Sequence, residues 1–490
     1  MTFNSFSYFL FLPTVFLVFQ FTKDRFRWLV LLASSYIFYG FLLRPSLLAV
    51  LAFVTIFSYW VGSLIGQTKS QKRRKTLLCI GVSVNLLVLV YFKYLVFLVE
   101  NLNMLLDLLS FENTIPQPEP LVSVALSFFI FQAISFLADM YFGTIRPELH
   151  PGHFALYISF FPKLLQGPIE RTGNFLPQIK KPYQFKYDEV RQGLLLFSWG
   201  LFLKTVVADR FALFVDPVYN NVQAYTGITL IIATYAYAFQ IYFDFAGYTN
   251  MALGSARLFG ITLTQNFNSP YLATSCADFW RGWHISFSRW ILDYIFEPLQ
   301  MKWRNLAKTG TALALFVTFL LSGIWHGASW NFLIWGVLHG IFLAISIYYR
   351  PYKKKIHKRL VPEKNRWARA VPILITFHLV CLTYIFFRST TVSDAWYIVT
   401  NMLDIHGNYA SIQGNGMSEF IKSDILIGQK KTVALTLAVM SSIPLTVRRF
   451  RNMPFFEKPV WFRWTCYYGL FLLITVFHLS TKPSFIYFQF

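Results

Sequence analysis

Charge is what this sequence most lacks. Only 13% of its 490 residues are Asp, Glu, Lys or Arg, while 56% are hydrophobic. A soluble chain of that length needs about twice the charge to cover its surface, so a water-soluble fold is excluded. Cysteine is scarce as well: Cys79, Cys276, Cys381 and Cys466 are scattered with no paired spacing, which suggests neither a disulfide framework nor a metal site. No segment repeats, so the inverted-repeat plan of many transporters has no support. Familiar catalytic signatures are missing too. There is no GxSxG elbow, no HExxH, no carboxylate pair at glycosidase spacing and no Walker-type phosphate loop.

Apolar length is abundant. Phe alone supplies 54 positions. Runs of roughly 17–25 residues, enough to cross hydrocarbon, recur from end to end. They fall near 6–20, 28–43, 46–65, 77–98, 121–142, 190–215, 225–243, 245–262, 307–322, 329–349, 370–389, 431–446 and 463–480. The expected fold is an all-α polytopic membrane protein with about 11–12 transmembrane helices, one integral-membrane domain over 1–490. The first run reads as a retained helix: no basic stretch precedes it, and no small-residue cleavage pattern precedes KDRFR at 23–27.

A net charge of +22 invites a nucleic-acid reading, which its distribution opposes. Basic residues cluster in short loops: TKSQKRRKT at 68–76, MKWRNLAK at 301–308, RPYKKKIHKRL at 350–360 and RRFR at 448–451. The connections 99–120 and 390–430 hold most of the local acids, including Glu100, Asp107, Asp394 and Glu419. This is the positive-inside pattern, with basic loops facing cytoplasm and anionic lipid. It predicts a multi-pass protein of the cytoplasmic (inner) membrane that binds no nucleic acid. Lys353, Lys354, Lys355 and Arg359 suit anionic lipid, with a donor's phosphates as the alternative.

Several polar residues stand where lipid-facing side chains would be apolar, and such residues turn toward protein or a cavity. In ATYAYAFQIYFDFAGYTNMALGSARLFGI, 233–261, these are Gln240, Asp244, Asn250 and Arg257. Asp244 either pairs with Arg257 or caps a helix beginning after Gly247, or else it serves a site. In NFNSPYLATSCADFWRGWHISFSRWILDYIFEPL, 266–299, an amphipathic helix is expected from Asp278 onward. Arg281, His284 and Ser288 would share one face, with Arg289 placed to pair with Asp293. In LSGIWHGASWNFLIWGVLHG, 321–340, residues 322–328 read as a hairpin turn, with His326 in it and Trp325 and Trp330 as walls against water. Gly323 and Gly327 leave room there for backbone or substrate. His339 reads as structural. Between the apolar runs at 121–142 and 190–215, the stretch 143–190 is broken by Pro162 and Gly167-Pro168, which suits a re-entrant or interfacial element.

An imidazole with an ordinary pKa near 6.5 can accept a hydroxyl proton without a large penalty. His326 with His284 nearby therefore points to direct transfer from an activated donor to an alcohol. These three blocks, together with FFPKLLQGPIER at 160–171 and the terminal SFIYFQF at 484–490, resemble the membrane-bound O-acyltransferase family. The similarity is greatest to the bacterial alginate O-acetyltransferase branch and strongest over 155–345. It implies a ring of membrane helices around a thin central region, with an extracytoplasmic funnel meeting a channel from the cytoplasm. It also implies His326 and His284 as the site histidines, an acyl thioester co-substrate such as acetyl-CoA, and no bound cofactor. A polysaccharide or cell-envelope glycan would accept the acyl group, with help from a periplasmic partner protein. His326 would be the general base, while His284 and Asn250 orient groups or stabilise charge; Asp244, Arg281 and Trp325 are weaker candidates for binding. GYTNM in place of GYSDM, and WRGWH in place of WRRWH, are departures from the alginate pattern. D-alanyl transfer to teichoic acid and, from a different class, a lipid or acyl-carrier transporter or flippase are the competing readings.

Overall fold

The computed structural model describes residues 1–41, 46–111, 114–119, 125–145, 150–360, 366–404, 455–477 and 485–486. Helices account for all of the regular structure there. Helices α1 (Phe6–Phe21), α2 (Asp24–Gly40), α3 (Ser46–Gln67) and α4 (Gln71–Leu89) open the chain. α4 runs through a π-helical turn, Val90–Tyr94, into α5 (Leu95–Leu108), and α6 (Leu126–Phe142) follows. Three short helices come next: α7 (Pro151–Ser159), α8 (Phe161–Leu164) and α9 (Thr172–Lys180). α10 (Tyr187–Phe202) passes through a second π turn, Leu203–Ala208, into α11 (Asp209–Asn220), which precedes α12 (Ile228–Leu258). α13 (Cys276–Gly282) and α14 (Ile285–Ile291) lead through a third π turn, Leu292–Phe296, to α15 (Glu297–Lys302). The hairpin α16 (Ala307–His326) and α17 (Trp330–Leu360) is followed by α18 (Arg366–Arg388), α19 (Val392–Asn401) and α20 (Val460–Phe477).

Among the described residues, seven helical stretches are long and apolar enough to cross a membrane, and α1 and α6 are shorter apolar helices. The protein is an all-α, multi-pass membrane protein. Its outer surface carries large apolar side chains such as Ile56, Trp60, Trp461 and Phe471, all well exposed, as acyl chains require. The expected span 431–446 lies outside the described residues. Two other expected spans, 225–243 and 245–262, are one helix, α12, because Gly247 does not break it. That glycine is a contact: a Cβ there would sit 2.7 Å from Gly200 O and 2.9 Å from Lys204 N. Close approach of α10 to α12 is what it provides.

α12 is the buried axis, packed on α8, α10, α11 and α18, while α6 sits against α3 and α4. The broken segment behaves as its prolines and glycine demand. Residues 156–170 are buried without interruption, and the chain bends at Phe160 and again after Leu165. Backbone so interrupted survives at depth because protein supplies its partners. Lys163 donates to Gln132 Oε1 and the Tyr157 carbonyl, Glu170 accepts from the Thr264 amide, and Ile169 N–H donates to Ser286 Oγ at 3.0 Å.

Candidate active site

The α16–α17 hairpin positions the central histidine. α16 carries no charge between Thr309 and Trp325 and stays helical to His326, so the turn is only 327–329 rather than the expected 322–328. Gly327, with extended backbone, ends α16, and Ser329 Oγ accepts from Asn331 N–H at 3.1 Å as α17 begins. The glycine at 323 serves helix crossing: its added Cβ would stand 2.9 Å from Gly336 Cα. With no side chain on either helix at that point, His326 comes within reach of Trp335.

His326 is 5% exposed and enclosed by rings. Trp325 and Trp335 both lie 4.6 Å from it between centroids, Phe387 5.1 Å and Phe287 5.9 Å. His284 is fully buried; its ring meets Phe245 at 4.7 Å, Phe287 at 5.1 Å and Trp325 at 6.3 Å. Phe287 and Trp325, stacked at 4.3 Å, therefore touch both imidazoles. The two histidines named from the sequence share one aromatic chamber.

The amphipathic helix expected from Asp278 onward is broken at His284, whose φ of 42° and ψ of 55° lie in the left-handed region. That conformation is uncommon for a residue with a Cβ and persists only when its surroundings enforce it. Here they do so through hydrogen bonds. Ile285 N–H donates to Asn266 O at 2.9 Å and Ser286 N–H to Asn266 Oδ1 at 3.1 Å, while Asn268 N–H donates to Gly282 O at 2.9 Å. A Cβ on Gly282 would approach Asn268 O to 2.8 Å, which explains why this chain tolerates WRGWH: the glycine lets the 266–268 strand of loop lie close.

Other residues singled out in the sequence are placed elsewhere. Asp244 neither pairs with Arg257 nor caps a helix. Its Oδ1 takes a 2.5 Å bond from Lys204 Nζ, its Oδ2 accepts the Ile486 amide at 3.0 Å, and Lys204 also reaches Asp209 at 2.7 Å. Arg257 pairs instead with Glu189. Asn250 packs on Gly200 of α10; it stands five residues, about 140° around the helix, from the Phe245 ring that touches His284. Arg281 is 76% exposed and pairs with Asp278, outside the chamber. Asp293 is held by Arg171 at 2.8 Å rather than by Arg289. Trp330 stands at the rim, its Nε1–H donating to Asn101 Oδ1. His339 is structural in its bonding: Nδ1 accepts from Trp280 Nε1–H at 3.2 Å, and Nε2 meets Thr383 Oγ1 at 3.0 Å.

Four neighbours of the chamber went unmarked in the sequence: Phe245, Trp335, Phe387 and Lys93. Lys93 Nζ donates to the carbonyls of Trp325 at 2.7 Å and His326 at 3.0 Å, capping the end of α16. Placing it there is the π turn in which it sits, and such turns recur at functional sites. A lysine inside the apolar run VYFKYL was the available signal.

Residues 144–387 match the family model for MBOAT, the membrane-bound O-acyltransferase family. A probable alginate O-acetylase AlgI of Azotobacter vinelandii is 33% identical, the alignment covering 92% of this chain and 86% of that protein. The chain belongs to the membrane-bound O-acyltransferase family. A peptidoglycan O-acetyltransferase of Helicobacter pylori is 34% identical over 80% of this chain and 76% of its own. The teichoic acid D-alanyltransferase of Bacillus subtilis is 28% identical over 55% and 70%. The MBOAT match takes in α7 through almost all of α18, so of the chamber residues named above all but Lys93 fall inside it. Lys93 comes from the π turn between α4 and α5, ahead of the matched region.

Proposed function

We propose that this MBOAT protein moves an acetyl group from acetyl-CoA, presented from the cytoplasm, to hydroxyls of an extracytoplasmic polysaccharide or other cell-envelope glycan. One observation carries the reading: His326, at the very end of α16, shares a buried aromatic chamber with His284. An imidazole there takes the hydroxyl proton as the alcohol oxygen attacks the thioester carbonyl. A carbon–oxygen bond forms, the carbon–sulfur bond breaks, and the proton held by the imidazole passes to the departing thiolate. The aromatic walls exclude water, which would otherwise hydrolyse the thioester. His284 positions the partners through the rings it shares with His326. Support for acetyl and for a glycan comes from the alginate and peptidoglycan relatives, each similar over most of this chain. Donor and acceptor sit on opposite faces of the inner membrane, and a periplasmic partner protein collects or delivers the acyl group.

The test supplies radiolabelled acetyl-CoA to native envelope membranes containing wild type, His326→Ala or His284→Ala, each first shown to be folded. Label should enter envelope glycan with wild type, be lost with His326→Ala and fall less with His284→Ala. Equal labelling in all three would end the general-base role. Label from a D-alanyl thioester and none from acetyl-CoA would select the teichoic-acid-like reading. Lipid or carrier export that survives His326→Ala, with no labelling at all, would select a transporter.

A further inference from the structure

The tryptophans packed on His326 carry a second property besides shape. Two other buried indole N–H groups are matched: Trp280 Nε1 donates to His339 Nδ1 at 3.2 Å and Trp290 Nε1 to the Phe131 carbonyl at 3.0 Å. Trp325 and Trp335, 6% and 2% exposed, are different. Their Nε1 atoms are buried and have no hydrogen-bond acceptor among the described residues. A buried donor left unmatched is costly and rare, so two of them on one imidazole call for an explanation. One comes from α16, directly before His326, and the other from α17 across the Gly323–Gly336 crossing.

We propose that the indole N–H groups of Trp325 and Trp335 donate to the acyl carbonyl oxygen of the substrate and stabilise the negative charge it gains during transfer. This rests on the acyl-transfer reading above. As the alcohol oxygen bonds to the carbonyl carbon, the π electrons of the C=O move onto oxygen, and they return when the thiolate leaves. A carbonyl attacked by an alcohol that is itself hydrogen-bonded to His326 lies within a few ångströms of that ring, which is where both indoles stand. Donors fixed in advance, inside walls that exclude water, act strongly on a developing oxyanion and need no reorganisation. Trp335 also packs on His339 at 4.7 Å and Phe387 at 5.5 Å, so its ring is held from several sides. Both indoles are thus catalytic residues in addition to His326.

The decisive variants keep the ring and remove the N–H. Trp325 or Trp335 is replaced by its benzothiophene isostere, in which sulfur stands for N–H, alongside Trp325→Phe and Trp335→Phe. Rates of label transfer from acetyl-CoA are then measured in native membranes against wild type. Each isostere should lower kcat about 10²-fold, the usual effect of losing one oxyanion donor, with KM for acetyl-CoA held within about twofold. Wild-type kcat in both isosteres would overturn the proposal, most clearly if the Phe variants were slow, because the rings would then act by shape alone. A raised KM with unchanged kcat would overturn it too, assigning the donors to ground-state binding. An inactive wild type, by contrast, would bring down the acyl-transfer reading itself.

Discussion

Replacing Lys204 by Met should damage this protein more than almost any other single change to a charged residue. Lys204, Asp209 and Asp244 have side chains only 2%, 6% and 3% exposed, and the lysine is the cation both carboxylates share, at 2.7 and 2.5 Å. Removing it leaves two buried acids facing each other with nothing to balance them. Breaking one buried pair costs about 3–5 kcal/mol, and here one substitution breaks two. The loss extends to the end of the chain, because Asp244 Oδ2 also holds the Ile486 amide and the Lys204 ammonium lies 4.5 Å from the Phe485 ring. Arg281→Met is the matching control. That pair is also short, at 2.5 Å, but its side chains are 76% and 40% exposed, so water screens it and its removal should cost about 0–1 kcal/mol. Thermal unfolding in detergent, followed by fluorescence-detected size exclusion, compares the two. The triple change Lys204→Met, Asp209→Asn, Asp244→Asn should recover part of the loss. Equal melting of Lys204→Met and Arg281→Met would refute the reasoning, since burial would then have no bearing on the value of these charges.

Three further outcomes follow from the chamber. Gly336→Ala puts a Cβ 2.9 Å from Gly323 Cα, so the hairpin must open; the overpacking should cost about 1–3 kcal/mol and abolish labelling of envelope glycan while leaving protein in the membrane. Lys93→Met removes two hydrogen bonds to the end of α16, worth about 0.5–1.5 kcal/mol each, and should depress transfer more than melting temperature, with Lys93→Arg restoring part of the rate. His339→Gln, which can still meet Trp280 and Thr383, should retain transfer that His326→Gln loses; equal loss in both, measured by the same labelling assay, would deny the distinction between a structural and a chemical histidine.

Helix class, polytopic character and the two histidines were legible in the sequence because each has a local cause. Apolar runs have membrane length, and an imidazole between Trp325 and Gly327 is costly unless it has a purpose. The errors also have a common cause. Gly323 looked like a point of clearance, yet it is a site of helix contact whose partner, Gly336, cannot be identified from spacing. Asp244 was weighed against Arg257 because both lie on one segment, whereas its cation comes from a π turn forty residues earlier. The break at His284 was invisible in a sequence whose periodicity continues through it, since the bonds that impose it come from Asn266.

By itself, then, the sequence determined that this chain lives in a membrane, that its family is the membrane-bound O-acyltransferases, and which imidazoles to examine first. Composition and short motifs carry that information because hydrophobic length and the cost of a buried polar group are properties of residues and segments. Only the tertiary structure decided that His326 and His284 share Phe287 and Trp325, that Lys93 caps α16, and that Trp335 brings an unmatched N–H to the same ring. Those relations join helices far apart in the chain. They exist because side chains too costly to leave in lipid, and glycines that let backbones touch, can be satisfied in three dimensions by partners that no local pattern names.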